Sequence, residues 1–167
     1  MTESLSLRTT PPEETRRFGI ALGEALEPGA FVGLEGPLGS GKTVIVQGAA
    51  RALGYDGYVT SPSFVIVNEY DGQVPIRHVD LYRISDPREL DDIGYREIFF
   101  GEGVALVEWS DRAQELLPAD RLQVVLRMAR DDTRELRVTA RGEAGLRALE
   151  RLRALLSAEG VDDSSDH

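Results

Sequence analysis

One stretch of eight residues limits what this chain can fold into more than any other: Gly36-Pro37-Leu38-Gly39-Ser40-Gly41-Lys42-Thr43. It satisfies G-x-x-x-x-G-K-[ST] at every position, a match that this composition yields by chance about once per thousand chains. Residues 30–35 before it form a short apolar run that reads as a strand, and residues 43–53 after it read as a helix closed by Gly54. Glycines let such a loop wrap closely and turn its main-chain N–H groups at phosphate oxygens, and the helix N-terminus adds positive potential. Leu38, Gly39, Ser40 and Gly41 would line the phosphates. Lys42 would place an ammonium at the β- and γ-phosphates, and the Thr43 hydroxyl would bind Mg²⁺. The expected ligand is a nucleoside triphosphate.

Composition adds weight to Lys42. The chain has 19 basic residues, and Lys42 is its only lysine. A genome that favours arginine explains the other basic positions, but the planar guanidinium fork does not thread a glycine loop as an ammonium does. There are no cysteines and only two histidines, His78 and His167, which excludes thiol chemistry, disulfides, iron–sulfur clusters and multi-histidine metal sites. The net charge of −10 argues against a protein that grips bare nucleic acid or an anionic membrane by its own field. The first ten residues lack the apolar core of a leader, and no run approaches the length of a membrane span, so a cytoplasmic location is expected.

Around the loop, Thr10-Pro11-Pro12-Glu13 has the form of a capping box opening a helix that Pro28-Gly29 stops. Residues 64–70 and 74–81 flank Asp71-Gly72 as a hairpin. A short helical region follows Ser85-Asp86-Pro87 and ends near Phe100, residues 104–107 form a fully apolar strand, and residues 111–117 read as one helix. Residues 122–128 and 135–140 make a second hairpin across Asp131-Asp132, and Leu146, Leu149, Leu152 and Leu156 mark a last amphipathic helix. The order implies an α/β protein: a P-loop NTPase three-layer sandwich whose mixed sheet has a parallel core and antiparallel edge hairpins. One ATPase domain is expected over residues 1–157, with an acidic disordered tail over residues 158–167.

A Mg²⁺ at the loop needs a carboxylate at the end of a neighbouring strand. Glu108 follows the apolar run Val104-Ala105-Leu106-Val107 and is the expected metal ligand; Asp80 ends Ile76-Arg77-His78-Val79 and would orient the attacking water or bind the metal's water shell. Thr60, Ser61 and Pro62 form a hydroxyl-rich turn with the character either of a γ-phosphate-sensing switch or of an ordinary hydrogen-bonded bend. Trp109, the sole tryptophan, is either core or a nucleotide-sensitive, partner-facing side chain, whereas His78 reads as structural. Arg134 and Arg137, just beyond the Asp131-Asp132 turn, could reach a nucleotide, although most arginines in the chain must be solvated surface.

A guanine-reading Asn/Thr-Lys-x-Asp motif would need a second lysine, so adenine is the expected base. An LSGGQ-type signature is missing, and the chain is too short for an AAA+ module. The ordered set of the glycine loop, Ser61-Pro62-Ser63, His78-Val79-Asp80-Leu81-Tyr82-Arg83 and Val107-Glu108-Trp109 resembles the TsaE (YjeE) family over roughly residues 10–140. That resemblance implies an ATPase, weak alone and stimulated by its partners TsaD and TsaB, supporting threonylcarbamoyladenosine formation in ANN-decoding tRNAs. ATP hydrolysis would reset the transferase between cycles, with tRNA met only through the complex. It also implies ATP/ADP and Mg²⁺ as ligands, and roles for Lys42, Thr43 and Glu108 in phosphate and metal binding. Asp80 would be a catalytic or switch acid, Trp109 a functionally sensitive neighbour, Arg134 a nucleotide contact and Thr10 an adenine-side contact. Two other readings stay open on the residues alone: a small-molecule kinase, and a nucleotide-dependent binding module without turnover.

Overall fold

The computed structural model describes residues 2–10, 12–62 and 66–160. The strands are β1 (Thr2–Thr9), β2 (Phe31–Glu35), β3 (Val67–Asp71), β4 (Pro75–Asp80), β5 (Val104–Glu108), β6 (Arg121–Met128) and β7 (Arg134–Arg141). The α-helices are α1 (Pro12–Ala25), α2 (Lys42–Ala52), α3 (Tyr95–Phe100) and α4 (Gly142–Ala158), with 3-10 helices at Pro87–Ile93 and Ser110–Leu116.

All seven strands join one sheet in the order β1-β7-β6-β2-β5-β4-β3. β6, β2, β5 and β4 run parallel, while β3 on one edge and β7 on the other run opposite to them, and β1 pairs antiparallel with β7 at the outer edge. The sheet is thus parallel at its centre and antiparallel at its edges, as the element order implies. Buried parallel strands read as continuous apolar runs because both faces are covered. In β5, Val104 and Leu106 point to the large core beneath α1, α2 and α4, and Ala105 and Val107 point to the smaller core beneath α3 and the 3-10 helices. These are the three layers.

α2 keeps its helix despite Val44-Ile45-Val46, since Ile45 and Val46 are fully buried against the sheet. Burying each such side chain is worth ~1.5–3 kcal/mol, several times its helix-propensity deficit. Backbone contact between α1 and α2 fixes the pair: a Cβ at Gly48 would lie 2.4 Å from the main-chain oxygen of Arg16.

Four elements differ from expectation. β1 is an eight-residue strand where no element is expected, and it pairs along its full length with β7. The helical region before Phe100 is two pieces, broken where Gly94 takes a left-handed conformation at φ 71°. Residues 111–117 are not an α-helix but a 3-10 helix with a kink at Ala113. The first hairpin begins at Val67; Phe64 lies outside the described residues, as do Pro11 of the expected capping box and residues 161–167 of the expected tail.

Candidate functional site

The register of the parallel strands assembles the site. Asp80, last residue of β4, pairs with Glu108, last residue of β5, and Leu34 of β2 also pairs with Glu108. The C-terminal ends of three adjacent strands therefore meet where β2 passes into the glycine loop, the crevice at which open α/β sheets bind ligands.

Within the loop, Gly41 sits at φ 111° immediately before α2, a left-handed conformation that a Cβ would strain. The first main-chain bond into the helix is from Ile45 N to Gly41 O, so the amides of Lys42, Thr43 and Val44 have no intrahelical acceptor and are available to an anion, whereas the Ser40 amide donates to Pro37 O. Lys42 is 4% exposed. Its Nζ donates to Gly36 O at 2.5 Å and Pro37 O at 3.0 Å and lies 4.2 Å from the centre of the Trp109 ring. Burial lowers its pKa, against the opposing pull of the Glu108, Asp80 and Asp111 charges. Thr43 Oγ1 donates to Glu108 Oε1 at 3.1 Å, with Oε2 at 3.2 Å, and Glu108 is only 3% exposed.

Asp80 accepts two bonds, from Ser61 Oγ at 2.5 Å and from the Tyr82 amide at 2.9 Å. Trp109 adopts φ 58°, a strained left-handed conformation for a non-glycine residue, and this aims its ring back over Lys42. Tyr82 and Arg112 cover the ring further, at 5.0 and 5.4 Å. Trp109 thus lines the cavity beside Lys42 while also packing, partly buried, against the smaller core.

Two cavities flank the loop. One, of about 530 Å³, is lined by Leu38 to Val44 together with Ser61, Pro62, Asp80, Glu108 and Trp109. The other, of about 650 Å³, is lined by Thr10, Thr15, Gly39, Ser40, Asp131, Asp132 and Arg134. Arg134 reaches across from β7 and donates to Ser40 O and Gly39 O, both at 3.2 Å. Ser40 Oγ and Arg134 Nη1 are buried without a hydrogen-bond partner. Two orphaned donors beside a glycine loop, one of them cationic, fit an anion with several acceptor oxygens. Among the described residues no cluster of three or more carboxylates, histidines or cysteines could hold a metal alone. Thr43 and Glu108 fit an ion that keeps most of its shell as waters and phosphate oxygens, as Mg²⁺ does.

Among the described residues, every expected site residue except Thr60 and Arg137 lines one of the two cavities. Thr60 is exposed and contributes its main-chain oxygen, which accepts from Asn68 and Tyr70. Ser63 lies outside the described residues. Arg137 is exposed and lines a different concavity, on the sheet face near Arg8 and Arg127. Sequence reasoning missed Thr15, whose hydroxyl meets Thr9 Oγ1 at 2.7 Å beneath the second cavity; His78, read as structural, is fully buried with Nε2 2.5 Å from Glu108 Oε2.

Residues 9–136 match the family model of the threonylcarbamoyl adenosine biosynthesis protein TsaE. The chain belongs to the TsaE family. It is 45% identical over 141 residues to the Bacillus subtilis tRNA threonylcarbamoyladenosine biosynthesis protein TsaE, covering 84% of this chain and 88% of that one. The Treponema pallidum TsaE is 37% identical, covering 75% of this chain and 93% of its own. The crystal structure of Bacillus subtilis YdiB superposes with a TM-score of 0.81 at 39% identity, covering 93% of this chain and 97% of that chain. The matched span takes in both flanks of the glycine loop, the ends of β4 and β5, and Arg134.

Proposed function

We propose that this chain is a Mg²⁺-dependent ATPase acting in the formation of threonylcarbamoyladenosine in tRNA, the process for which its family and relatives are named. The observation that carries the ATP reading is the convergence of unsatisfied donors on the glycine loop: Ser40 Oγ, Arg134 Nη1 and the first amides of α2, with Lys42 poised at 3.0 Å or less from carbonyls it can exchange for phosphate oxygens.

When bound, Mg²⁺ would neutralise phosphate charge and hold the β- and γ-phosphates in one geometry. Thr43 and Glu108, already bonded to each other, would hold it. The amides of Gly39 and of Gly41 to Thr43, with the Ser40 hydroxyl, grip phosphate oxygens, and Lys42 swings from Gly36 O and Pro37 O onto them. Asp80, fixed by Ser61 and the Tyr82 amide, orients the water that attacks. Trp109 shields Lys42 on one side, so part of the charge interaction takes place away from bulk water. Arg134 steadies the loop from β7, and the cavity bounded by Thr10 and Arg134 takes the nucleoside.

The proposed setting is the cytoplasm, beside the TsaD–TsaB transferase, which hydrolysis resets between cycles. A net charge of −10 suits work through a protein partner rather than a direct hold on tRNA. Among the described residues no helix is long and apolar enough to cross a membrane. The test is ATP turnover by the purified chain with Mg²⁺, alone and with the two transferase proteins. Slow turnover that rises on adding them supports the proposal. Turnover that is absent in both conditions, or stoichiometric phosphoryl transfer to a metabolite, overturns it.

A further inference from the structure

The turn that follows β4 carries a cation that the chemistry described above leaves unused. Leu81 and Ile84 are buried, whereas Tyr82 and Arg83 between them are exposed. Hydrogen bonds pin the turn on both sides. Leu81 N donates to Glu108 O at 3.1 Å and Ile84 N to Leu81 O at 3.0 Å. The Tyr82 amide donates to Asp80 Oδ1 at 2.9 Å, and Arg112 Nη1 donates to Ile84 O at 3.4 Å. Two buried anchors thus present two exposed side chains, and both Tyr82 and Arg83 line the cavity beside the glycine loop. A loop held by a rigid scaffold is where functional side chains concentrate.

The charges of that cavity call for Arg83. Its lining holds two carboxylates, Asp80 and Glu108, and two cations, Lys42 and Arg83. A triphosphate adds several negative charges, which Mg²⁺ and Lys42 offset only in part. In hydrolysis the water oxygen bonds to the γ-phosphorus as the bond to the β,γ-bridging oxygen breaks, and that electron pair stays on ADP. The water keeps one hydrogen and passes the other to a phosphate oxygen, giving ADP and dihydrogen phosphate. Charge spreads over the equatorial oxygens of the transferring group, and a planar guanidinium can hold two of them at once. Lys42 follows β2 and Arg83 follows β4, with β5 and its Glu108 between them. Strands lie ~4.8 Å apart, so the ends of β2 and β4 stand ~10 Å from one another, and the two cations face the cavity from opposite sides. Arg83 shares its side with Asp80.

We infer that Arg83 is a catalytic residue: its guanidinium holds the γ-phosphate oxygens as charge spreads over them in the transition state, a role that an arginine supplied by a partner fills in other nucleotide hydrolases. This rests on the ATPase reading given above. An interaction made chiefly in the transition state governs turnover far more than affinity. Arg88 supplies the control. It lies in the same surface segment, is exposed, pairs with Asp86 at 2.7 Å and does not line the cavity.

The experiment is single-turnover ATP hydrolysis by the full chain with Mg²⁺, alone and with the two transferase proteins, for wild type, Arg83→Ala and Arg88→Ala. Calorimetric titration of each with a non-hydrolysable ATP analogue reads binding separately. Arg83→Ala should hydrolyse ATP at least ~100-fold more slowly in both conditions, while its affinity for the analogue stays within about threefold of wild type. Arg88→Ala should match wild type in both assays. A smaller loss of rate, a larger loss of affinity, a loss seen only with the transferase proteins, or an equal loss in Arg88→Ala overturns the role of Arg83 and leaves the ATPase reading standing. Wild type that neither binds the analogue nor hydrolyses ATP removes that reading, and the role of Arg83 with it. A thermal melt checks that Arg83→Ala is folded; should it not be, Arg83→Gln takes its place and must show the same selective loss of rate.

Discussion

Replacing Lys42 by methionine separates ligand binding from folding. In the free protein the ammonium makes two bonds to main-chain oxygens and a contact with the Trp109 ring. Hydrogen bonds from a charged group contribute ~1.5–3 kcal/mol each, and a partly desolvated cation–π contact ~1–2 kcal/mol. Against these stands a desolvation cost of several kcal/mol for a buried ammonium. The lowered pKa of Lys42 says that burial outweighs its charge partners. Methionine fills similar space with no charge, and Pro37 O keeps its bond from the Ser40 amide, leaving only Gly36 O without its donor, at ~1 kcal/mol. Stability without ligand should therefore stay within about 1 kcal/mol of wild type. Affinity for MgATP should fall by about 100-fold or more, the loss of a charge-assisted phosphate contact worth about 3 kcal/mol. Urea unfolding with and without MgATP reads both quantities: at ligand near 100 times its Kd, wild type should gain about 2.7 kcal/mol and the variant almost nothing. A variant destabilised by more than 3 kcal/mol without ligand would make Lys42 a scaffold residue. One stabilised by MgATP as strongly as wild type would refute its role at the phosphates.

Glu108→Gln should fold within ~1 kcal/mol of wild type, because the Thr43 hydroxyl can rotate and the His78 tautomer can change, yet Mg²⁺-dependent turnover should fall at least ~100-fold with nucleotide binding in EDTA unaltered. Glu35, whose carboxyl is held above the usual range by burial and by the Asp111 charge, should take up protons on folding between pH 4.5 and its raised value. Stability should then decline as pH rises through that window, and Glu35→Gln, followed by urea unfolding against pH, should flatten the decline. Leu106→Ala, at a position 1% exposed in β5, should cost ~3–5 kcal/mol in the same unfolding measurement.

Much of this was legible in the chain. The loop 36–43 announced strand, turn and helix together, and the purely apolar run before Glu108 located a buried central strand whose last residue meets Thr43. β1 was missed: Leu5, Leu7 and Thr9 turn inward in an alternating run, but the strand is held by pairing with β7 more than 130 residues away, which leaves no local mark. The break at Gly94 hid for another reason: helical spacing continues across it, and only the left-handed backbone divides the two pieces. The partners of His78, Tyr70 and Glu108, could not be read from the chain because they arrive from two other strands through the register of the sheet. Thr60 was chosen for its hydroxyl, whereas the fold uses its carbonyl, a group every residue has.

The claim on which everything else stands is that the donors around residues 36–43 close on a magnesium-bound triphosphate. Isothermal titration of the full chain with MgATP measures that directly. The expected result is saturable heat at one site per chain, weaker in EDTA and absent in Lys42→Met. A folded protein that gives no heat with MgATP or MgGTP would contradict it.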